Sequence, residues 1–141
     1  MTEAQALEAL AKELPALLEG IAGIPTYEGE APRDASEALA VRPPFMVYDA
    51  QPRGPEDEAC EWTLDLFVDL WGLDSWAPCY AAMARLDDAL DRAAFELECG
   101  ALCADRSGLT FQRMERDPDD ERIRRMRGQY LLRFNADLFK E

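Results

Sequence analysis

The stretch CEWTLDLFVDLWG, residues 60–72, sets Asp65 and Asp69 four positions apart, with Phe67 and Trp71 beside them. Two carboxylates can share a proton, flank a glycosidic bond or hold a metal ion, and their separation decides which. Read by twos, the stretch is a strand. Trp62, Leu64, Leu66, Val68 and Leu70 fall on one face, and Glu61, Thr63, Asp65, Phe67, Asp69 and Trp71 on the other. Positions i and i+4 on a strand lie about 13 Å apart. Glycosidase carboxylates stand roughly 5–9.5 Å apart, and a calcium ion holds its oxygens within about 2.6 Å. The two aspartates therefore share neither a proton nor a ligand. What the spacing allows is an electrostatic face carrying two aromatic anchors, or a solvated face.

Other chemistry is equally short of parts. There are no histidines, which removes Ser-His-Asp and Cys-His catalysis and the commonest zinc ligand. Cys99 and Cys103 form a CxxxC, but a zinc site would also have to recruit Cys60 and Cys79, and no paired CxxC is present. The cysteines are expected to be reduced core thiols. DPDDE at 117–121 begins like a calcium loop, yet Arg122 stands where the turn glycine belongs, and it reads as an acidic turn. Phosphate-binding glycine loops, GxSxG and HExxH are missing. No enzyme mechanism, cofactor or metal is expected.

The basic residues concentrate in Arg122, Arg124, Arg125, Arg127 and Arg133. Tyr130 and Phe134 interleave with them, as in single-strand nucleic-acid platforms. Their parity opposes that reading, since the aromatics share a face with Met126, Gly128 and Leu132, opposite Arg125, Arg127 and Arg133. Pairing of these arginines with Asp65 and Asp69 across strands is one expectation. Contact with the acidic loop of a neighbouring copy, Glu56, Asp57 and Glu58, is the other.

The net charge of -14 over 141 residues excludes a general nucleic-acid binder. The charge is also split: residues 1–100 carry 21 acidic and 6 basic side chains, residues 101–141 carry 8 and 9. Unlike ends of this kind can attract each other between copies. No run reaches the roughly 18 apolar residues of a membrane span. The acidic start MTEAQALEALAKEL does not fit a signal peptide, so the chain is expected to be made and kept in the cytosol.

Elements follow from period and punctuation. Thr2, with Gln5 three residues on, caps a helix whose stripe is Ala6, Leu7, Leu10, Leu14, Leu17 and Leu18. Pro15 is expected to kink or split it, and Gly20 and Gly23 to end it. Residues 25–44 read as irregular, with a short extended piece at Thr26–Tyr27. FMVYD (45–49) and residues 59–71 make a hairpin across the loop QPRGPEDE. Asp74 or Ser75 caps a second helix with an apolar stripe of Tyr80, Met83, Leu86, Leu90 and Ala94. A second hairpin pairs 109–116 with 122–135. The order is α-β-β-α-β-β. The expected fold is a single α+β domain over 1–141, an antiparallel sheet of about four strands with both helices on one face. Burying each of the five apolar side chains of residues 62–70 contributes roughly 1.5–3 kcal/mol, against about 1–2 kcal/mol per residue to fix the backbone. The strand cannot stand alone, so the helices must cover it.

This order and its pieces resemble the tail terminator proteins of long-tailed phages, of the lambda type. The matching pieces are PPFMVYDAQ, EACEWTLDLFVDLWG, DSWAPCYAAMARLDDALDRA and LTFQRMERDPDDERIRRMRGQYLLRFNADLF. Residues 25–42 and the CxxxC segment fall outside the match. The resemblance implies a non-enzymatic virion protein, assembled in the host cytoplasm and placed at the head-proximal end of the tail. There it would form a hexameric ring that caps the tube, stops its polymerisation and docks the head connector. Its partners would be its own copies, the tube protein and the connector, with DNA passing through unbound. On this view Asp65, Phe67, Asp69 and Trp71 look toward a neighbour, the tube or the lumen. Arg124, Arg125, Arg127 and Arg133 meet the neighbour's Glu56, Asp57 and Glu58. The competing expectations are another ring of the head–tail neck, or a cytosolic α+β domain that binds a small molecule or a partner.

Overall fold

The structure, a computed structural model, describes residues 3–56, 61–106, 111–115 and 120–136. Helix α1 (Glu3–Ala22) is followed by strands β1 (Thr26–Glu28), β2 (Phe45–Glu56) and β3 (Glu61–Leu73). Helix α2 (Ala77–Leu90) precedes β4 (Ala93–Leu97), β5 (Gly100–Arg106), β6 (Gln112–Arg113) and β7 (Ile123–Ala136). The strands form one sheet in the order β1-β2-β3-β7-β5-β4, with β6 also on β7. All pairings are antiparallel except β1 with β2.

Seven strands in a mixed sheet replace the expected four antiparallel ones. The central hairpin is read correctly, but β2 is longer than FMVYD. It continues through the supposed loop to Glu56, with a register shift between Pro52 and Gly54. A thirteen-residue β3 needs a partner along its length, and the bulge lets Pro52 and Gly54 sit in that partner. β7 takes β3 along one side. On its other side it takes β5 against Tyr130–Ala136 and only two residues of β6. Beside β7, β5 takes most of the place expected for the 109–116 strand, of which residues 109–110 and 116 lie outside the described residues; the two alanines and one cysteine of β5 give a faint pattern in the sequence. Gly100 opens β5 at φ +151°, a backbone suited to glycine. The Glu13 carboxylate on α1 accepts from the turn amides of Glu98 and Cys99, at 3.1 and 3.3 Å.

Both helices cover one face of the sheet. Rows of buried side chains cross the strands in register: Met46, Leu70 and Met126; Leu66 and Tyr130; Leu64, Leu132 and Ala104; Phe134 and Leu102. Against them α1 buries Ala6, Leu10, Leu14, Leu18 and Ala22. α1 runs unbroken through Pro15, which costs it one hydrogen bond to the carbonyl of Ala11 on the exposed side. Gly20 lies inside the helix, and Gly23 at φ +72° closes it, donating to the Glu19 carbonyl at 2.9 Å. α2 buries Cys79, Ala82, Leu86 and Leu90. The expected stripe is therefore rotated: Tyr80 is exposed, Met83 is half-buried, and Ala94 belongs to β4. Small Cys79 and Ala82 let α2 approach the sheet closely. Ser75 Oγ accepts from the Ala77 amide at 3.1 Å. Gly128 leaves a gap in the core row that the Phe111 ring fills. A Cβ at position 128 would lie within 2.7 Å of Phe111 Cδ1.

Candidate interaction face

Among the described residues, the other face of the sheet carries no helix. Register sets Gln51 beside Asp65 and Leu131, Asp49 beside Phe67 and Gln129, and Val47 beside Asp69 and Arg127. Phe45, Trp71 and Arg125 form the next row. All four predicted residues of β3, Asp65, Phe67, Asp69 and Trp71, share this face, and all are half-buried rather than open. Thr63, expected among the exposed positions, is buried.

Partners within the chain explain that burial. Arg53 grips Asp65 with two hydrogen bonds, Nε to Oδ2 at 2.7 Å and Nη2 to Oδ1 at 2.8 Å, and Gln129 Nε2 adds a third at 3.3 Å. Arg127 grips Asp69 in the same way, at 2.8 and 3.2 Å, and Arg125 reaches it at 3.4 Å. Two-point guanidinium–carboxylate pairs of this kind are the geometrically specific ones. Arg133 pairs with Asp105 at 3.0 Å, and Arg124 donates to the Glu121 carbonyl. The guanidinium of Arg125 also lies 4.3 Å from the Trp71 ring centre. Trp71 stacks on Phe45 at 5.1 Å, and Tyr27 meets Phe45 edge-on at 5.9 Å. An aromatic row capped by a cation thus crosses β1, β2, β3 and β7. The Nε1 of Trp71 and the Nε of Arg125 are buried without a partner among the described residues.

The expected cross-strand pairing therefore holds for Arg125 and Arg127 with Asp69. Asp65 is instead held by Arg53, and Arg133 by Asp105. Glu56 ends β2 rather than lying in a loop, and Asp57 and Glu58 lie outside the described residues. Sequence reasoning missed Arg53 because it sits in a Pro- and Gly-rich stretch that reads as a turn. The signal available was the length of β3. Phe67 lies in a shallow groove of about 360 Å³, together with Val47, Asp49, Gln51, Asp69 and Arg127. Among the described residues no three Cys, Asp or Glu side chains converge as metal ligands, and no helix is long and apolar enough to cross a membrane.

Hydrogen bonds from Arg53, its positive charge and Gln129 hold the Asp65 carboxyl below the usual carboxylate range, against a smaller opposing effect of burial. Because the folded pKa is the lower one, this stabilisation is present above the unfolded value, about 3.9. It is lost as pH falls through the folded value. Asp65→Asn is expected to cost about 0.2–1 kcal/mol at pH 7, the range for exposed pairs, and less at about pH 3, below the unfolded value. Thermal melts at the two pH values check this; an equal loss at both would contradict it. Hydrogen bonds and charge from Asp69 raise the already high pKa of Arg127.

No family model matches the chain, and no curated protein does. Solved structures do. One is a chain from the virion of a native gene transfer agent particle: TM-score 0.50, 18% identity, over 90% of this chain and 92% of that one. Another, whose printed name gives no function, has a TM-score of 0.54 and 12% identity, over 100% of this chain and 99% of that one. At these identities the likeness is one of fold.

Proposed function

We propose that this chain is a structural protein of a phage-like virion, and within it a tail terminator. The observation that carries the reading is the likeness in fold, along nearly the full length of both chains, to a chain of the gene transfer agent virion. The open face supports it. Its carboxylates and guanidiniums are tied to one another in bidentate pairs, a rigid, patterned surface suited to recognition by shape. On this reading six copies close into a ring on the head-proximal end of the tail tube, and DNA passes through without specific contacts. The ring accepts the last tube ring on one side and the head connector on the other, so it ends polymerisation by geometry and needs no catalytic group. Asp65, Phe67, Asp69 and Trp71 then face a neighbouring subunit, the tube or the lumen.

The test adds this chain, carrying a gold label, to tube protein that polymerises on its own. Far less than one copy per tube subunit is expected to halt elongation and label a single end. Label along the tube, or growth that continues unchanged, would overturn the terminator role.

A further inference from the structure

Two surface features remain outside the open sheet face. The first is the connection between β1 and β2, residues 29–44, which is longer than most loops of its kind. It folds on itself. Arg33 and Leu39 form a bridge; the Asp34 amide donates to the Ala38 carbonyl at 2.9 Å and the Ala40 amide to the Pro32 carbonyl at 2.8 Å. Asp34 Oδ1 accepts from the amides of Ser36 and Ala38, and Arg33 Nη1 donates to the Glu37 carbonyl at 3.0 Å. Residues 32–38 are nonetheless all exposed. Ordering such an arm costs entropy, and here no burial of its tip in its own chain offsets that. At the tip Glu37 holds a left-handed backbone, φ +62°. Its carboxylate makes no ion pair among the described residues.

The second is a cluster of Trp76, Tyr80 and Arg113. The Arg113 guanidinium lies 4.4 Å from the Trp76 ring centre and 5.7 Å from that of Tyr80, and bonds the Tyr80 hydroxyl. Tyr80 is the one exposed large hydrophobic side chain among the described residues. Trp, Tyr and Arg are the types that dominate binding hot spots, and Arg113 has no carboxylate partner among the described residues.

The two features sit at the same end of the sheet, and Leu39–Pro43 of the arm share a cavity with Leu73, Asp120, Arg122 and Ile123 at the ends of β3 and β7. The arm enters β2 at Phe45, which lies in register with Trp71 and then Arg125; Arg113 pairs with Met126, the next residue of β7. The root of the arm on β2 and Arg113 on β6 are three strand spacings apart, about 14 Å. A patch that binds an unlike patch on the next copy joins copies head to tail, and such a contact can close into a ring.

We infer that the partner of the Trp76–Tyr80–Arg113 cluster is the arm of a second copy of this chain, with Glu37 of one copy against Arg113 of the next. This deepens the ring reading and rests on it. It also gives the ring a contact that leaves the Asp69 and Asp65 pairs of the open face intact.

The experiment compares wild type, Glu37→Arg, Arg113→Glu and the double variant by native mass spectrometry across concentrations, with circular dichroism as the check on folding. Each single reversal is expected to raise the concentration for half-assembly at least tenfold. The double variant restores the pair and returns assembly toward wild type. Hexameric wild type with unimpaired single variants, or with no restoration in the double, would overturn this contact and leave the ring reading standing. Should Arg113→Glu fail to fold, Glu37→Cys with Arg113→Cys in a Cys60→Ser, Cys103→Ser background gives a second readout. Oxidation is then expected to produce a ladder of linked chains up to six, and a hexamer without linkage would overturn the contact. A wild type that forms no hexamer, in solution or on the tube, would overturn the ring reading and this contact with it.

Discussion

Tyr130→Ala is expected to lower the folding free energy by about 3–5 kcal/mol, the cost of emptying a large buried aromatic site. Tyr130 is 1% exposed on the core face of β7, in register with Leu66, and the Phe111 ring meets it edge-on at 6.0 Å. Its hydroxyl crosses the core to donate to Asp87 Oδ1 on α2 at 2.6 Å, and Asp87 Oδ2 lies 3.5 Å from Arg106 on β5. Removal of the ring leaves a cavity and loosens Phe111 from its place over Gly128. It also deprives a half-buried carboxylate of its shortest donor. Tyr130→Phe keeps the ring and loses only that bond, so its expected cost is about 1.5–3 kcal/mol, the range for bonds to charged groups. Urea unfolding of the three proteins checks the ranking. A Tyr130→Phe loss equal to the alanine loss would mean that the hydroxyl, rather than the ring, carries the stability.

Stability is expected to fall steeply above pH 10, through Tyr48 and Tyr130. Burial raises both phenols well above their ordinary value of 10.0; the Glu28 carboxylate adds to the effect at Tyr48, and the bond to Asp87 at Tyr130. A raised folded pKa means that stability is fully present below the unfolded value and declines as pH climbs from there toward the folded value, because the unfolded chain loses its phenol protons first. Each tyrosine contributes a slope of about 1.4 kcal/mol per pH unit in that window. The pair together would remove about 5 kcal/mol between pH 10 and 12, a large share of the 5–15 kcal/mol typical of a folded domain. Denaturant midpoints measured across pH 8–12 check this. Tyr48→Phe should roughly halve the slope, and an unchanged slope would show that Tyr48 ionises freely in the folded state.

The same physics explains what could be read in advance. Strict alternation over residues 62–70 marks β3 because one face is covered by helices while the other is not, and Met126, Gly128, Tyr130, Leu132 and Phe134 mark β7 for the same reason. β4 and β5 escaped notice because Ala and Cys are small enough for either face, so their pattern is faint. β1 (Thr26–Glu28) is legible as an extended piece at Thr26–Tyr27 but too short for any period to assign it a place in the sheet. The stripe of α2 was misplaced by size: Tyr80 and Met83 look like core residues, whereas the tight approach of helix to sheet selects Cys79 and Ala82.

The candidate face divides along the same line. The sequence alone determined that Asp65, Phe67, Asp69 and Trp71 share one side of a strand, that the aspartates stand too far apart for joint catalysis, and that Tyr130 and Phe134 of β7 oppose Arg125, Arg127 and Arg133. These follow from a side-chain period of two, which is local. Only the tertiary structure decided which charges meet. Arg53 reaches Asp65 because β2 runs on through a bulge; Arg133 takes Asp105 because β5 displaces the expected neighbour; Arg113 lies between Trp76 and Tyr80 because β6 joins β7 beside the start of α2. Such pairings depend on strand order and register between segments distant in sequence, and no local pattern encodes them.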